Sequence, residues 1–238
     1  MSIVPKIELS LRLLDLMTKR AFDLAAAVLS LIVVSPLMLA VALLIKLQDG
    51  GPIFYRGERI GRQGKTFHML KFRTMVPNAE QFGSSCTAAD DPRITLLGRT
   101  LRRYKLDELP QLINVLLGDM SVVGPRPDTP DYAAKLSAEQ ASLVFSVRPG
   151  ITDWATLWNY DEEDFLKGKG NPDRAYMELI WPTKIALQVA YVRKRSLATD
   201  LRIVAQTIKV IINRSSQNSS REDRKSRYGY EDIHPSEL

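Results

Sequence analysis

The sequence predicts an α+β fold, mostly helical. An N-terminal re-entrant membrane helix should precede a small cytosolic domain containing a β-hairpin and amphipathic interface helices. Three observations carry this expectation. Phe22 to Leu47 is an apolar run broken only by Asp23 and Lys46, both near its ends. Pro52–Arg56 and Thr66–Met75 have strand-like content and are joined by a link containing three glycines. From Ile94 onward, apolar residues recur at helical spacing.

The N-terminal elements come first. Residues 1–18 place Leu9, Leu13, Leu16 and Met17 at helical spacing, with charged residues between them. They suit a short helix, either on a membrane surface or packed on its own domain. The run that follows is long enough, at ~1.5 Å per residue, to cross a ~30 Å hydrocarbon core. Ser35-Pro36 lies in its middle. Proline deletes a backbone donor and clashes with the preceding turn, so a bend is expected there, and the Ser35 hydroxyl can take up the freed carbonyl. Basic residues flank both ends: Lys19 and Arg20 before, and Lys46, Arg56, Arg59, Arg62 and Lys65 after. Cytosolic flanks attract positive charge, so both ends belong on the same side. A helix that enters and returns meets that demand; a straight crossing does not.

Gly50-Gly51-Pro52 ends the helix. In the second strand Phe67 and Met69 share one side, and His68, Leu70 and Phe72 the other. A short helical piece is expected near 78–82 in an otherwise polar loop, and a basic helix over 94–105 on a stripe of Ile94, Leu97 and Leu101. The next helix should start at Asp107, with Leu109, Leu112, Ile113 and Leu116 as its core face, Pro110 in the first turn and Gly118 at its end. Gly124-Pro125-Arg126-Pro127 reads as a rigid turn. Helices are expected over 137–145, with Ser137 as N-cap, over 182–195 and over 200–212. The last has Leu201, Val204, Ile208, Ile211 and Ile212, which suit a membrane interface or a core equally. Residues 213–238 are polar and expected to be disordered. The organisation read from this is an interface segment and membrane helix over 1–48, a globular domain over 49–212 and a tail over 213–238.

Composition narrows the chemistry. The 238 residues carry 33 Lys+Arg against 27 Asp+Glu, a formal net charge of +6. That excess points to an anionic partner: nucleic acid, anionic lipid or phosphorylated ligands. One cysteine rules out an internal disulfide, and two distant histidines argue against a zinc site. Any metal should be a hard cation on oxygen ligands.

The candidate site is Asp107-Glu108, two adjacent carboxylates at the start of an apolar run, preceded by Arg99, Arg102, Arg103 and Lys105. A carboxylate can attack phosphorus and split one displacement into two. Anion must then meet anion, so the charge has to be cancelled by magnesium, by arginines or by a helix N-terminus. Arg102 precedes Asp107 by five residues and reaches the same phosphate if the two helices fold together. The same pair is also ordinary helix-start chemistry, since Asp caps and Glu suits a first turn. Local residues leave both readings standing.

The chain from Lys19 to about Val210 resembles the bacterial sugar transferases that are monotopic phosphoglycosyl transferases. The matching residues stand in order: Lys19-Arg20 and Phe22-Asp23, Ser35-Pro36, Gly51-Pro52, Lys71-Phe72-Arg73-Thr74-Met75, Asp91 and Arg93-Ile94-Thr95, Leu101-Arg102, Leu106 through Leu112, Gly118-Asp119-Met120-Ser121, Val123 through Pro127, Arg148 through Thr152, and Trp154-Ala155. The resemblance is to the minimal form of the family. It implies transfer of a sugar phosphate from a UDP-sugar to a polyprenyl phosphate, with magnesium as cofactor and UMP as leaving product. It implies Asp107 as nucleophile, Glu108 as its metal-binding or supporting partner, and Arg102 as a phosphate holder. Lys71, Arg73 and Arg126 fall in family motifs near the site, and Ser35-Pro36 matches the break in a re-entrant helix. The implied place is the cytosolic face of the bacterial inner membrane; no nucleic-acid partner is expected, and the oligomeric state is open. One departure stands out. The family often has glycine before the Trp-Ala pair, where this chain has Asp153, and Leu157 to Tyr160 followed by four acids replaces the usual continuation. That segment is expected to bear on sugar or nucleotide choice.

Overall fold

A computed structural model describes residues 4–79 and 86–212, with side chains described from Leu14 onward. Helix α1 (Val4–Asp49) takes in both the amphipathic segment and the apolar run as one element of 46 residues. The separate N-terminal helix expected over 1–18 is therefore its first turns. Nothing between them breaks a helix, since residues 10–34 contain no glycine or proline. Pro36 lies inside α1 and removes the donor that would serve the carbonyl four residues earlier. That carbonyl belongs to Ile32, and the Ser35 hydroxyl donates to it at 3.0 Å. The expected rescue is present.

One face of α1 packs on the rest of the chain. Asp23, Ala27, Val41 and Ile45 are buried on it, while Leu29, Ile32, Val33, Leu39, Leu43 and Leu47 are exposed. Ala27 joins Met69, Leu112, Val115 and Met120 in one apolar cluster; Val41 and Ile45 join Phe72 and Leu101 in another. Polar ties hold the helix at both ends of the run. Asp23 accepts from the Ser121 hydroxyl at 2.9 and 3.0 Å and from the Val122 N–H at 3.1 Å. Lys19 pairs with Asp200 at 2.8 Å, Arg20 donates to the Val115 carbonyl at 2.8 Å, and Asp49 pairs with Arg73.

The hairpin comprises β1 (Phe54–Ile60) and β2 (Thr66–Phe72), antiparallel, in register from Phe54 opposite Phe72 to Ile60 opposite Thr66. The first strand runs farther than expected. Glycine and charge at 57–59 look like a loop in sequence, yet these residues pair across to Met69, His68 and Phe67, with Gly57 buried and Glu58 exposed. The turn is only Gly61–Lys65, with Gln63 and Gly64 at positive φ. Met69 and Phe67 of β2 pack with Leu112 and Val115 of α3, and strand alternation sends Lys71 the same way.

Met75 bridges to Ile94, and α2 (Leu96–Arg103) follows, capped by Thr95, whose hydroxyl accepts from the Gly98 N–H at 2.9 Å. A Cβ at Gly98 would lie 2.0 Å from the Thr74 carbonyl oxygen, so glycine is what lets α2 lie against that segment. The helix expected to start at Asp107 starts later. Leu106–Glu108 is a single 3-10 turn, and α3 covers Gln111–Leu117 with Pro110 at its N-cap. A left-handed Lys105, φ 55°, separates α2 from this turn. The buried Asn114 side chain clamps α3 to β2, accepting from the Leu70 N–H at 2.9 Å and donating to the His68 carbonyl at 2.8 Å.

Two short strands, β3 (Ser121–Val123) and β4 (Gly150–Thr152), pair in parallel. They approach so closely that a Cβ at Gly150 would lie 2.1 Å from the Gly124 nitrogen. Helices α4 (Pro130–Ala133), α5 (Ala138–Val144), α6 (Trp154–Trp158), α7 (Glu162–Leu166), α8 (Pro172–Leu179), α9 (Trp181–Lys194) and α10 (Leu197–Ile212) complete the described chain. Ser137 and Gln140 form the capping box expected at α5. The largest core cluster includes Trp154, Leu157, Trp158, Ile180, Ile185, Tyr191 and Ile203. On α10 the core face is Asp200, Ile203 and Val210, and the stripe of Leu201, Ile208, Ile211 and Ile212 is exposed. The fifth residue of the expected stripe, Val204, packs against the core instead, so the stripe divides between the two roles. The helical piece expected at 78–82 lies mostly outside the described residues, as does the tail over 213–238.

Candidate active site

The clamp of Asn114, the left-handed Lys105 and the parallel β3–β4 pair bring four elements to one place. The 3-10 turn presents Asp107 and Glu108. Lys71 from β2 reaches the Glu108 Oε1 at 2.9 Å. Arg126, from the Gly-Pro-Arg-Pro turn after β3, donates to that same oxygen. Arg126 is itself held from behind. Its guanidinium donates to the Ile151 carbonyl at 3.1 Å, its N–H to Asp153 Oδ2 at 3.3 Å, and its carbonyl accepts from Gln188 at 3.0 Å.

The two carboxylates are therefore unlike. Burial would push Glu108 up, but Arg126 and Lys71 outweigh it and hold Glu108 well below the usual carboxylate range. Asp107 is pushed up: burial is the main cause and its neighbour Glu108 adds to it, against the pull of Lys71, Lys105 and Arg102. Only 6% of Asp107 is exposed, and its Oδ1 is buried with no hydrogen-bond partner. Gln111, one turn farther on, is fully buried with both amide atoms unpartnered. Buried polar atoms are usually paired, and these three atoms are open to a ligand atom. Lys71, Arg102, Lys105 and Arg126 act on two carboxylates. These cations suit phosphate oxygens, and Asp153, Glu162 and Glu163 are further acids that share them.

A cleft of about 500 Å³ opens beside this pair and shares Arg102 and Lys105 with it. Its lining sets Arg99, Arg102 and Arg103 of α2 against Tyr160, Asp161, Glu163 and Asp164, while Asp107 and Glu108 themselves lie outside it. The volume suits a small-molecule ligand. Arg102 is oriented by Thr74, whose hydroxyl accepts from Nε at 2.9 Å, and pairs with Glu163 at 3.2 Å.

The residues named from sequence thus divide. Asp107, Glu108, Lys71 and Arg126 form one constellation, with Arg102 at its edge in the cleft. Arg73 turns instead to Asp49 at the end of α1, 8% exposed, and fastens that helix to the hairpin. Ser35 and Pro36 lie within α1 and serve the helix. Sequence reasoning missed Thr74, Gln111, Asn114, Gln188 and Glu163 as site residues. Asp153 was singled out only as a departure; here it is a fully buried α6 N-cap, accepting from the Thr156 N–H at 2.7 Å, and it braces Arg126.

For a hard cation the donors are oxygen. Among the described residues no group of three or more His, Cys, Asp or Glu side chains could hold a metal. Magnesium needs fewer: one or two carboxylates, with phosphate and water completing its shell. The unpartnered Asp107 Oδ1 beside Glu108 fits that demand.

Known proteins bear on this geometry. The model of the bacterial sugar transferase family matches residues 14–214. The exopolysaccharide production protein ExoY of Sinorhizobium fredii is 41% identical over 209 residues, covering 82% of this chain and 85% of that protein. The UDP-N-acetylgalactosamine-undecaprenyl-phosphate N-acetylgalactosaminephosphotransferase of Aeromonas hydrophila is 36% identical over 199 residues, 82% of this chain and 43% of that one. The UDP-glucose:undecaprenyl-phosphate glucose-1-phosphate transferase of Escherichia coli is 34% identical over 219 residues, 90% of this chain and 44% of its own. With the match running from α1 through the acidic pair to α10, the chain belongs to the bacterial sugar transferase family.

Proposed function

We propose that this transferase moves a sugar-1-phosphate from a UDP-sugar to a polyprenyl phosphate, releasing UMP, through an intermediate on Asp107. The observation that carries the reading is one buried carboxylate with an unpartnered oxygen, ringed by cations and next to a ligand-sized cleft. Burial makes this carboxylate more basic than its neighbour, and a more basic oxygen is the better nucleophile. Asp107 attacks the phosphorus that bears the sugar; the bond to the bridging oxygen breaks, and UMP departs with that electron pair. An oxygen of the lipid phosphate then attacks the same phosphorus. The acyl-phosphate bond breaks, Asp107 is restored, and the sugar leaves on a polyprenyl diphosphate. Arg102 and Lys105 hold phosphate oxygens, while Glu108 keeps Lys71 and Arg126 in place. Magnesium would be held by Asp107 and Glu108 and would supply charge cancellation on the phosphate oxygens.

The membrane seat follows from α1. It is long and apolar enough to cross a bilayer by length and composition. Yet from Lys19 to Asp49, about 45 Å of helix, both ends are tied to the same domain. A crossing would put those ties on opposite faces of the bilayer. A monotopic seat, entering and leaving the cytosolic leaflet of the bacterial inner membrane, keeps both in water and leaves the outward apolar face in lipid. The exposed stripe of α10 then rests at the interface. Such a seat presents Asp107 to a soluble nucleotide sugar and to a lipid phosphate at headgroup depth. The enzyme would start lipid-linked glycan assembly.

The test is chemical trapping. With UDP-sugar and magnesium but no lipid acceptor, mass spectrometry should find a phosphosugar on Asp107 and one equivalent of UMP. UMP release under turnover with no adduct at that residue would overturn the covalent route.

A further inference from the structure

Arg102 is the cleft's best-placed anion receptor, and in this structure an anion of the chain already sits on it. The Glu163 carboxylate meets its Nη1 at 3.2 Å from the opposite wall. The two halves of this contact are held differently. Arg102 is fixed from behind by Thr74 at 2.9 Å, a hold that does not involve Glu163. Glu163 has its backbone carbonyl tied to the Ala89 N–H at 3.0 Å, so the segment is anchored while the side chain reaches across. The contact is a single ion pair between side chains 15% and 28% exposed. Glu108, by contrast, is held by two cations at once. The Glu163 contact is the one a ligand can break by a rotamer change.

We propose that Glu163 is an internal competitor for the anion seat on Arg102, displaced when the donor's diphosphate binds. The inference rests on the reading of the cleft as the donor site. It assigns this acidic segment a task in setting donor affinity: each donor must replace a carboxylate that is covalently present at high effective concentration. A pair of this kind is worth up to about a five-fold change in affinity.

The probe is UDP with magnesium, titrated by calorimetry into the full chain in lipid nanodiscs. Glu163→Gln keeps the shape and removes the charge. It should bind UDP about five-fold tighter, and the donor KM should fall by a similar factor. In an Arg102→Ala background the same substitution should change nothing, which separates an exchange at Arg102 from a general loss of negative charge. A folded Glu163→Gln protein that binds UDP no tighter than wild type overturns the inference, as does equal tightening without Arg102. Wild-type UMP release is scored separately. If it is present while Glu163→Gln leaves affinity unmoved, only this inference falls. If wild type neither turns over nor binds UDP, the functional reading falls with it.

Discussion

Replacing Asp107 with Asn should kill turnover and stabilise the protein. The carboxylate is nearly fully buried, and its Oδ1 has no partner. An unsatisfied buried group of this sort costs about 1–3 kcal/mol, more if charged. Lys71, Lys105 and Arg102 recover part of that, so the net gain on removing the charge is taken as about 1 kcal/mol. In a chain of this size that raises Tm by about 2–4 °C. The sign follows from linkage. Folding raises the Asp107 pKa above the ordinary 3.8, so the folded state binds the proton more tightly than the unfolded one. The group's contribution is most favourable below that ordinary value and is lost as pH rises through the raised one. The Tm gap between Asp107→Asn and wild type should thus be absent near pH 3.8 and open as pH rises toward neutrality. Thermal melts monitored by intrinsic fluorescence across that range read the gap; UMP release reads activity, which should fall at least about a thousand-fold on loss of a covalent nucleophile. A variant less stable than wild type at neutral pH would refute the electrostatic account, and one with a tenth of wild-type turnover would refute the assigned nucleophile.

Glu108→Gln should do the opposite to stability. It leaves Lys71 and Arg126 facing each other without a counter-charge, costing about 1–3 kcal/mol given their partial exposure. Because folding depresses the Glu108 pKa, its contribution is present above the ordinary 4.5 and lost as pH falls through the lowered value, so the variant's deficit should shrink in acid melts. Asp153→Ala removes the α6 cap and the brace on Arg126 together; a drop in stability of about 1–2 kcal/mol by denaturant titration is expected, with no drop if the cap is incidental. Ser2→Cys and Ser216→Cys should both react with a membrane-impermeant maleimide only from the cytosolic side; labelling from opposite sides would sink the monotopic seat. Cys86 should stay silent, since burial pushes its thiol up to about 12.

Much of this was legible before the fold. Helical periodicity found α2 and α10, because an amphipathic stripe is a local signal, and the Ser137 cap marked α5. The hairpin was legible too, though its first strand was cut short, since glycine and charge within a strand mimic a loop. The start of α3 was misplaced: the Leu-Asp-Glu-Leu-Pro run looks like a helix cap, and only a left-handed Lys105 forces a 3-10 turn there. The β3–β4 pair left no periodic trace, being three residues per strand. In the site, Lys71, Arg102 and Arg126 were foreseen as neighbours of the acidic pair. Arg73 was placed in the same group, but its partner is Asp49, and nothing local distinguishes an arginine that meets a ligand from one that meets a helix end.

What the chain's order of residues decides is the set of short-range facts: an apolar helix with a serine poised to repair its proline, a basic helix, and two adjacent acids. Those depend on neighbours within a turn or two. Which of the two acids is the more basic was a tertiary decision. Asp107 and Glu108 are chemically near-equal in sequence; they differ because Lys71 and Arg126, brought from 36 residues before and 19 after Asp107, both close on Glu108 and leave Asp107 buried with an oxygen to spare. Electrostatic energy depends on distance through space, and separation along the chain does not encode it.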